Sequence, residues 1–141
     1  MERIIPAGIC QKQAAGDGGR MEMDMRDGFF RVAAVTPEIR VADPVFNRER
    51  ICERIQEGEA LGAGLMVFPE LCVTGYTCGD LFLQYPLIRS AREQLLKIAE
   101  CTRDKHMLVF VGLPWEHGGK LYNAAAALCG GKVLGIVPKT Y

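Results

Sequence analysis

VFPELCVTGYTCGDLF, residues Val67 to Phe82, passes from a buried strand into a polar turn and places a carboxylate at the boundary. Leu65, Met66, Val67 and Phe68 form an unbroken apolar run, the pattern of a strand covered on both faces. Pro69 lacks the N–H that an interior ladder position needs, so the strand is expected to stop there. Glu70 therefore stands at a strand end, where charged side chains enter pockets and perturbed acids gather.

Upstream, Asp43 followed by Pro44 marks a helix entry, with an acceptor at the N-cap and a proline at the first helical position. Ile51, Cys52 and Ile55 make its core stripe, Arg48, Glu49, Arg50, Glu53 and Arg54 its wet face, and Gly62 and Gly64 turn the chain into the Leu65 strand. Phe29 to Val35 is an earlier strand. Strand, helix and strand in this order imply a crossover unit with parallel pairing.

Downstream, Asp80 is expected to cap a short helical turn through Gln84. A longer helix then runs from Pro86 to about Asp104, with Leu87, Ala91, Leu95, Ile98 and Thr102 inward and Arg89, Arg92, Glu93, Lys97 and Glu100 outward. Met107 to Val111 reads as a strand closed by Gly112 and Pro114, with His106 as a cap or surface residue and Trp115 to Lys120 as a loop. Leu121 to Cys129 and Lys132 to Val137 flank Gly130 and Gly131, a hairpin signature. The last strand ends at Pro138 and Lys139, so Lys139, like Glu70, follows an apolar strand and a proline. If the two strands are neighbours in one sheet, the opposite charges face one pocket.

Composition bounds the rest. The 141 residues suffice for one ordinary domain, and 49% hydrophobic content fits a globular chain. Seventeen basic and seventeen acidic residues cancel, which gives no field to favour nucleic acid or an anionic membrane. No apolar run approaches the ~20 residues that span a bilayer, and Met1 to Cys10 lacks the apolar core of a secretory signal. The six cysteines, Cys10, Cys52, Cys72, Cys78, Cys101 and Cys129, show no C-x-x-C, and His106 and His117 complete no zinc pattern. They read as reduced, mostly buried thiols in a cytoplasmic protein.

The run FPELCVTGYTCGDLF resembles the nitrilase-type glutaminase domains of glutamine-dependent NAD synthetases, a branch of the carbon–nitrogen hydrolase family. Phe68, Pro69 and Glu70 with Gly75 and Tyr76 carry the wider family's pattern, and Thr77 to Phe82 point to the synthetase branch. RVAAVTPEIRVAD at Arg31 to Asp43 and GIVPKTY at Gly135 to Tyr141 extend the likeness. It implies an α/β fold, about half of an αββα nitrilase-type sandwich, over residues 25–141. Residues 1–24, with Gly16, Gly18 and Gly19 and no period, are expected to be a disordered extension, and Met25 the true start.

The resemblance further implies a Glu-Lys-Cys triad, with Glu70 the general base, Lys139 the oxyanion stabiliser and Tyr76 a wall of a glutamine pocket. The nucleophilic cysteine is expected beyond these residues, because Cys72 is a packing position in the ELCVTGY run. No cofactor is implied for this chain; ATP and magnesium belong to a synthetase module. The implied partners are glutamine, the rest of a synthetase and further copies of the chain. A stand-alone hydrolase of ω-amides or nitriles, and a non-catalytic piece that binds a full-length homologue, are the alternatives.

Overall fold

The computed structural model describes residues 30–140. The expected disordered extension, the expected start at Met25, Phe29, Cys10 and Tyr141 lie outside them. Five strands form one sheet in the order β1 (Val32–Ala34), β2 (Leu65–Val67), β3 (Leu108–His117), β4 (Lys120–Cys129) and β5 (Lys132–Pro138). The first three are parallel and the last two join antiparallel, so the sheet is mixed, as the α/β reading requires.

Helix α1 (Pro44–Ala60) begins where the Asp43–Pro44 pair places it, with Asp43 Oδ1 accepting from Phe46 N at 3.0 Å. Helix α2 spans Tyr85–Cys101 and buries Leu87, Ala91, Leu95 and Ile98. Both helices lie on one face of the sheet. Ile51, Ile55, Leu95 and Ile98 meet Met66, Val109, Val111, Leu113, Ala126 and Leu128 in one core. Beyond α2, Thr102 Oγ1 accepts from Gly131 N at 3.0 Å and so ties the helix end to the β4–β5 turn.

Among the described residues, no helix covers the opposite face. Val32 is 60% exposed and Val137 64%, with Val67 and Ala125 also exposed. The expectation that the Leu65 strand is covered on both faces is therefore corrected: Met66 is buried on the helix side, while Val67 looks outward.

Three further expectations are corrected. Strand β3 does not close at Gly112 and Pro114 but continues to His117, paired with β4 throughout. Leu108 N donates to Gly64 O, and Phe110 O and Gly112 O accept from Phe68 N and Val73 N, so even-numbered residues of β3 direct their backbone groups away from β4. Pro114 shares that parity, and its missing N–H costs the β3–β4 ladder nothing. Gly118 and Gly119, at φ 59° and 74°, then make a second tight hairpin turn like Gly130 and Gly131 at 58° and 79°. The Gly79–Leu83 helical turn is 3-10, and Asp80 lies in its first turn without capping it.

The third correction concerns the thiols. Cys52 on α1 and Cys101 at the end of α2 form a disulfide with a Cα–Cα distance of 5.9 Å. Sequence spacing could not reveal it, because the 49-residue separation is closed only by the packing of the two helices.

Two outcomes are expected. Cys52→Ala, or reduction, removes a loop constraint worth about 4 kcal/mol in the chain-entropy treatment and lowers the unfolding temperature; a non-reducing peptide map should yield the Cys52–Cys101 linkage. The 141-residue chain by itself should self-associate through its bare sheet face, and light scattering that finds a monodisperse monomer with a reversible melt would refute this.

Candidate active site

Glu70 rides on a turn that leaves β2 and is held over β3. Gly112 makes this possible: a Cβ there would stand 2.4 Å from Leu71 N, 2.7 Å from Pro69 O and 2.8 Å from Glu70 Cα. Gly112 O accepts from Val73 N at 3.1 Å and from Cys72 Sγ at 3.6 Å. On the turn's other side, the fully buried Asn47 of α1 donates to Val73 O at 3.1 Å and to Arg40 O at 2.8 Å, and Ala42 N reaches Thr74 O at 2.7 Å. Leu71, directly after the glutamate, adopts φ 52°, a left-handed conformation that a residue with a side chain holds only when its surroundings impose it. Its carbonyl accepts from Thr74 N and Gly75 N at 3.0 and 2.7 Å, which closes the turn.

Lys139 follows β5 and meets Glu70 directly, Nζ to Oε1 at 2.6 Å. The two strands are not neighbours, since β3 and β4 lie between β2 and β5. The condition of adjacency is not met, yet the charges still meet, because the Glu70 turn reaches sideways across Gly112. Asn123 of β4 completes the group. Its Nδ2 donates to Glu70 Oε2 at 3.1 Å, and its carbonyl accepts from Lys139 N at 2.8 Å. On β4 the even residues Ala124, Ala126 and Leu128 face the helices, so Asn123 belongs to the uncovered face, as does Gly112 on β3.

The hydrogen bond from Lys139 holds the Glu70 carboxyl below the usual glutamate range, helped by the bond from Asn123, against an opposing effect of burial, with the lysine's charge adding to the lowering. Glu70 therefore binds fewer protons folded than unfolded, so any stabilisation by the pair is complete above the ordinary glutamate range and fades as pH falls through the lowered value. With side-chain exposures of 47% and 41%, Glu70 and Lys139 form an ion pair that adds little to stability in water.

Other candidates stand apart. Tyr76 is 68% exposed and is not a core residue. Burial pushes the Cys72 thiol up to about 12, only partly offset by its bond to Gly112 O. Cys78 Sγ is turned to Thr74 O and Gly75 O at 3.2 and 3.4 Å. Among the described residues, no three of His, Cys, Asp and Glu cluster to hold a metal, and no helix is long and apolar enough to cross a membrane. Sequence reading missed Asn123, Asn47 and the role of Gly112; an asparagine heading four alanines in a strand was the one available sign.

The Glu70–Lys139 pair sits within residues 31–141, which match the family described as carbon–nitrogen hydrolase. The chain belongs to that family. This carbon–nitrogen hydrolase chain is 37% identical over 114 residues to a glutamine-dependent NAD(+) synthetase of Mycobacterium tuberculosis, a match covering 81% of the chain and 17% of the relative. A synthetase of the same name from Thermotoga maritima is 36% identical over 93 residues, which is 66% of the chain and 16% of the relative. Among solved structures, the glutamine-dependent NAD(+) synthetase of Cytophaga hutchinsonii superposes with a TM-score of 0.75 at 29% identity, over 79% of this chain and 19% of the other. An amidase from Nesterenkonia gives 0.66 at 27%, over 79% and 43%. The hydrolase chain thus spans under one-fifth of these three synthetases and under half of the amidase, and its fold is nitrilase-type, an α layer on a mixed sheet.

Gly112→Ala should force the Glu70 turn off β3, destabilise the fold by roughly 1–3 kcal/mol and separate Glu70 from Asn123 and Lys139. Gly135→Ala is the control, because nothing lies within 4 Å of a Cβ there. Paired denaturant melts that show equal stability for the two variants would disprove the steric account.

Proposed function

We propose that this chain is the first part of a glutaminase domain that releases ammonia from glutamine for NAD synthesis. The observation that carries the reading is the meeting of Glu70 Oε1 and Lys139 Nζ at 2.6 Å, in a family member whose curated relatives are named glutamine-dependent NAD(+) synthetases. The chemistry follows from the pair. Glu70, held ionised, takes the proton of an attacking thiol and passes it to the departing ammonia; water, deprotonated by the same carboxylate, then opens the thioester and the thiol is restored. Lys139 stabilises the oxyanion of each tetrahedral intermediate. Tyr76 lines the glutamine pocket in this reading.

In this reading the attacking thiol is none of the described cysteines. Cys52 and Cys101 are bonded to each other, Cys72 and Cys78 are turned to backbone carbonyls, and Cys129 is six residues along β4 from Asn123, about 20 Å away. The Nesterenkonia amidase, in structures with covalent adducts at its active site cysteine, illustrates such a thiol in a related protein. ATP and magnesium serve the synthetase module, not this one. A cytoplasmic setting belongs to the same reading, and there the Cys52–Cys101 bond is open to reduction. Further copies of the chain, or the remainder of a synthetase, cover the bare sheet face.

A second reading, a stand-alone amidase, rests on the likeness to the Nesterenkonia enzyme. Intact mass of the protein as its own cell makes it comes first. A mass several times that of these residues, with glutamine-dependent NAD formation, supports the first reading, and hydrolysis of simple amides without it supports the second. In that protein, Glu70→Gln should cut glutamine hydrolysis about 10²–10⁴-fold and Lys139→Met by about 10²–10³-fold. Unchanged turnover in either variant refutes the assigned roles.

A further inference from the structure

We propose that Asn123 is a positioning residue for the Glu70 carboxylate, fixing its orientation and keeping it ionised through a donor supplied by the rigid middle of the sheet; the inference rests on the hydrolytic reading above. Glu70 and Lys139 are both long, exposed side chains, and an ion pair between two such groups leaves the carboxylate free to swivel. Asn123 removes that freedom by occupying Oε2 while Lys139 occupies Oε1. Strand register sets Asn123 opposite Pro114 of β3, and its backbone carbonyl accepts from Lys139 N on the other side. One residue therefore sets the position of both charged groups: its side chain holds the glutamate and its main chain holds the lysine.

A strand interior gives asparagine no intrinsic advantage, and the four residues that follow on β4 are alanines. Facing away from the helices, the Asn123 side chain contributes nothing to the core, and its amide donates to Glu70. The groups around the carboxylate make its effect separable. Lys139 from the end of β5 is the charged neighbour, β3 contributes Gly112 without a side chain, and Cys72 of the turn is directed to Gly112 O. Asn123 is the neutral donor whose removal changes no charge.

The test uses Asn123→Ala and the near-isosteric Asn123→Asp in the protein as its cell produces it. Carbodiimide labelling of Glu70, read by peptide mass between pH 4 and 7, follows the protonated fraction without requiring activity. Asn123→Ala should raise labelling severalfold at a given pH, and Asn123→Asp should raise it further, because a second carboxylate beside Glu70 opposes its ionisation. The acid limb of the kcat/KM profile for glutamine hydrolysis should move to higher pH in the same order, with the loss in kcat and KM little changed. Labelling of Glu70 identical to wild type in both variants overturns the proposal. The four neighbouring alanines make the alanine variant compatible with the strand, and Asn123→Asp keeps side-chain volume if it is not. Should the unaltered protein fail to hydrolyse glutamine, the hydrolytic reading falls, while the labelling series still decides whether Asn123 sets the state of Glu70.

Discussion

A single close approach, the Pro69–Leu71 backbone lying on Gly112, organises this molecule. Any side chain at position 112 would stand inside the turn, so the glutamate reaches the middle of the sheet only because β3 is bare there. The turn is held from two directions, by Gly112 O below and by Asn47 of α1 beside it, and these contacts sustain the left-handed backbone at Leu71. A residue with a side chain keeps such a left-handed conformation only within such a frame. The carboxylate is thereby placed by backbone geometry, while its charge state is set by Lys139 and Asn123.

The two faces of the sheet do different things. On the helix side, Val109, Val111, Leu113, Ala126 and Leu128 form a dry core with α1 and α2, which the Cys52–Cys101 bond links. On the other side lie Gly112, Asn123 and Val137, half apolar surface and half site. Placing the charged pair on that face keeps it in water as seen here, where its mutual attraction is weak. Exclusion of water from this face would strengthen the attraction between Glu70 and Lys139.

Local sequence determined the elements. Asp43 and Pro44 dictate a helix start by satisfying or removing orphan donors, the stripe of Leu87, Ala91, Leu95 and Ile98 dictates which face of α2 is buried, and the Gly130–Gly131 pair dictates a tight hairpin because both positions require positive φ. Glu70 and Lys139 were legible as candidates because each is a charge delivered after an apolar strand and a proline. What sequence could not supply were relations between distant residues. The passage of Pro114 through an intact ladder depends on which side its missing donor faces. The disulfide depends on two helices meeting across 49 residues, and the meeting of Glu70 with Lys139 depends on a turn lying over Gly112 of the intervening β3. Asn123 carries no local signal of its contact, since only strand register brings it beside Glu70. Propensity and patterning act over a few residues and so fix elements and faces, whereas register, close approach and packing act across the chain and were decided by the tertiary structure alone.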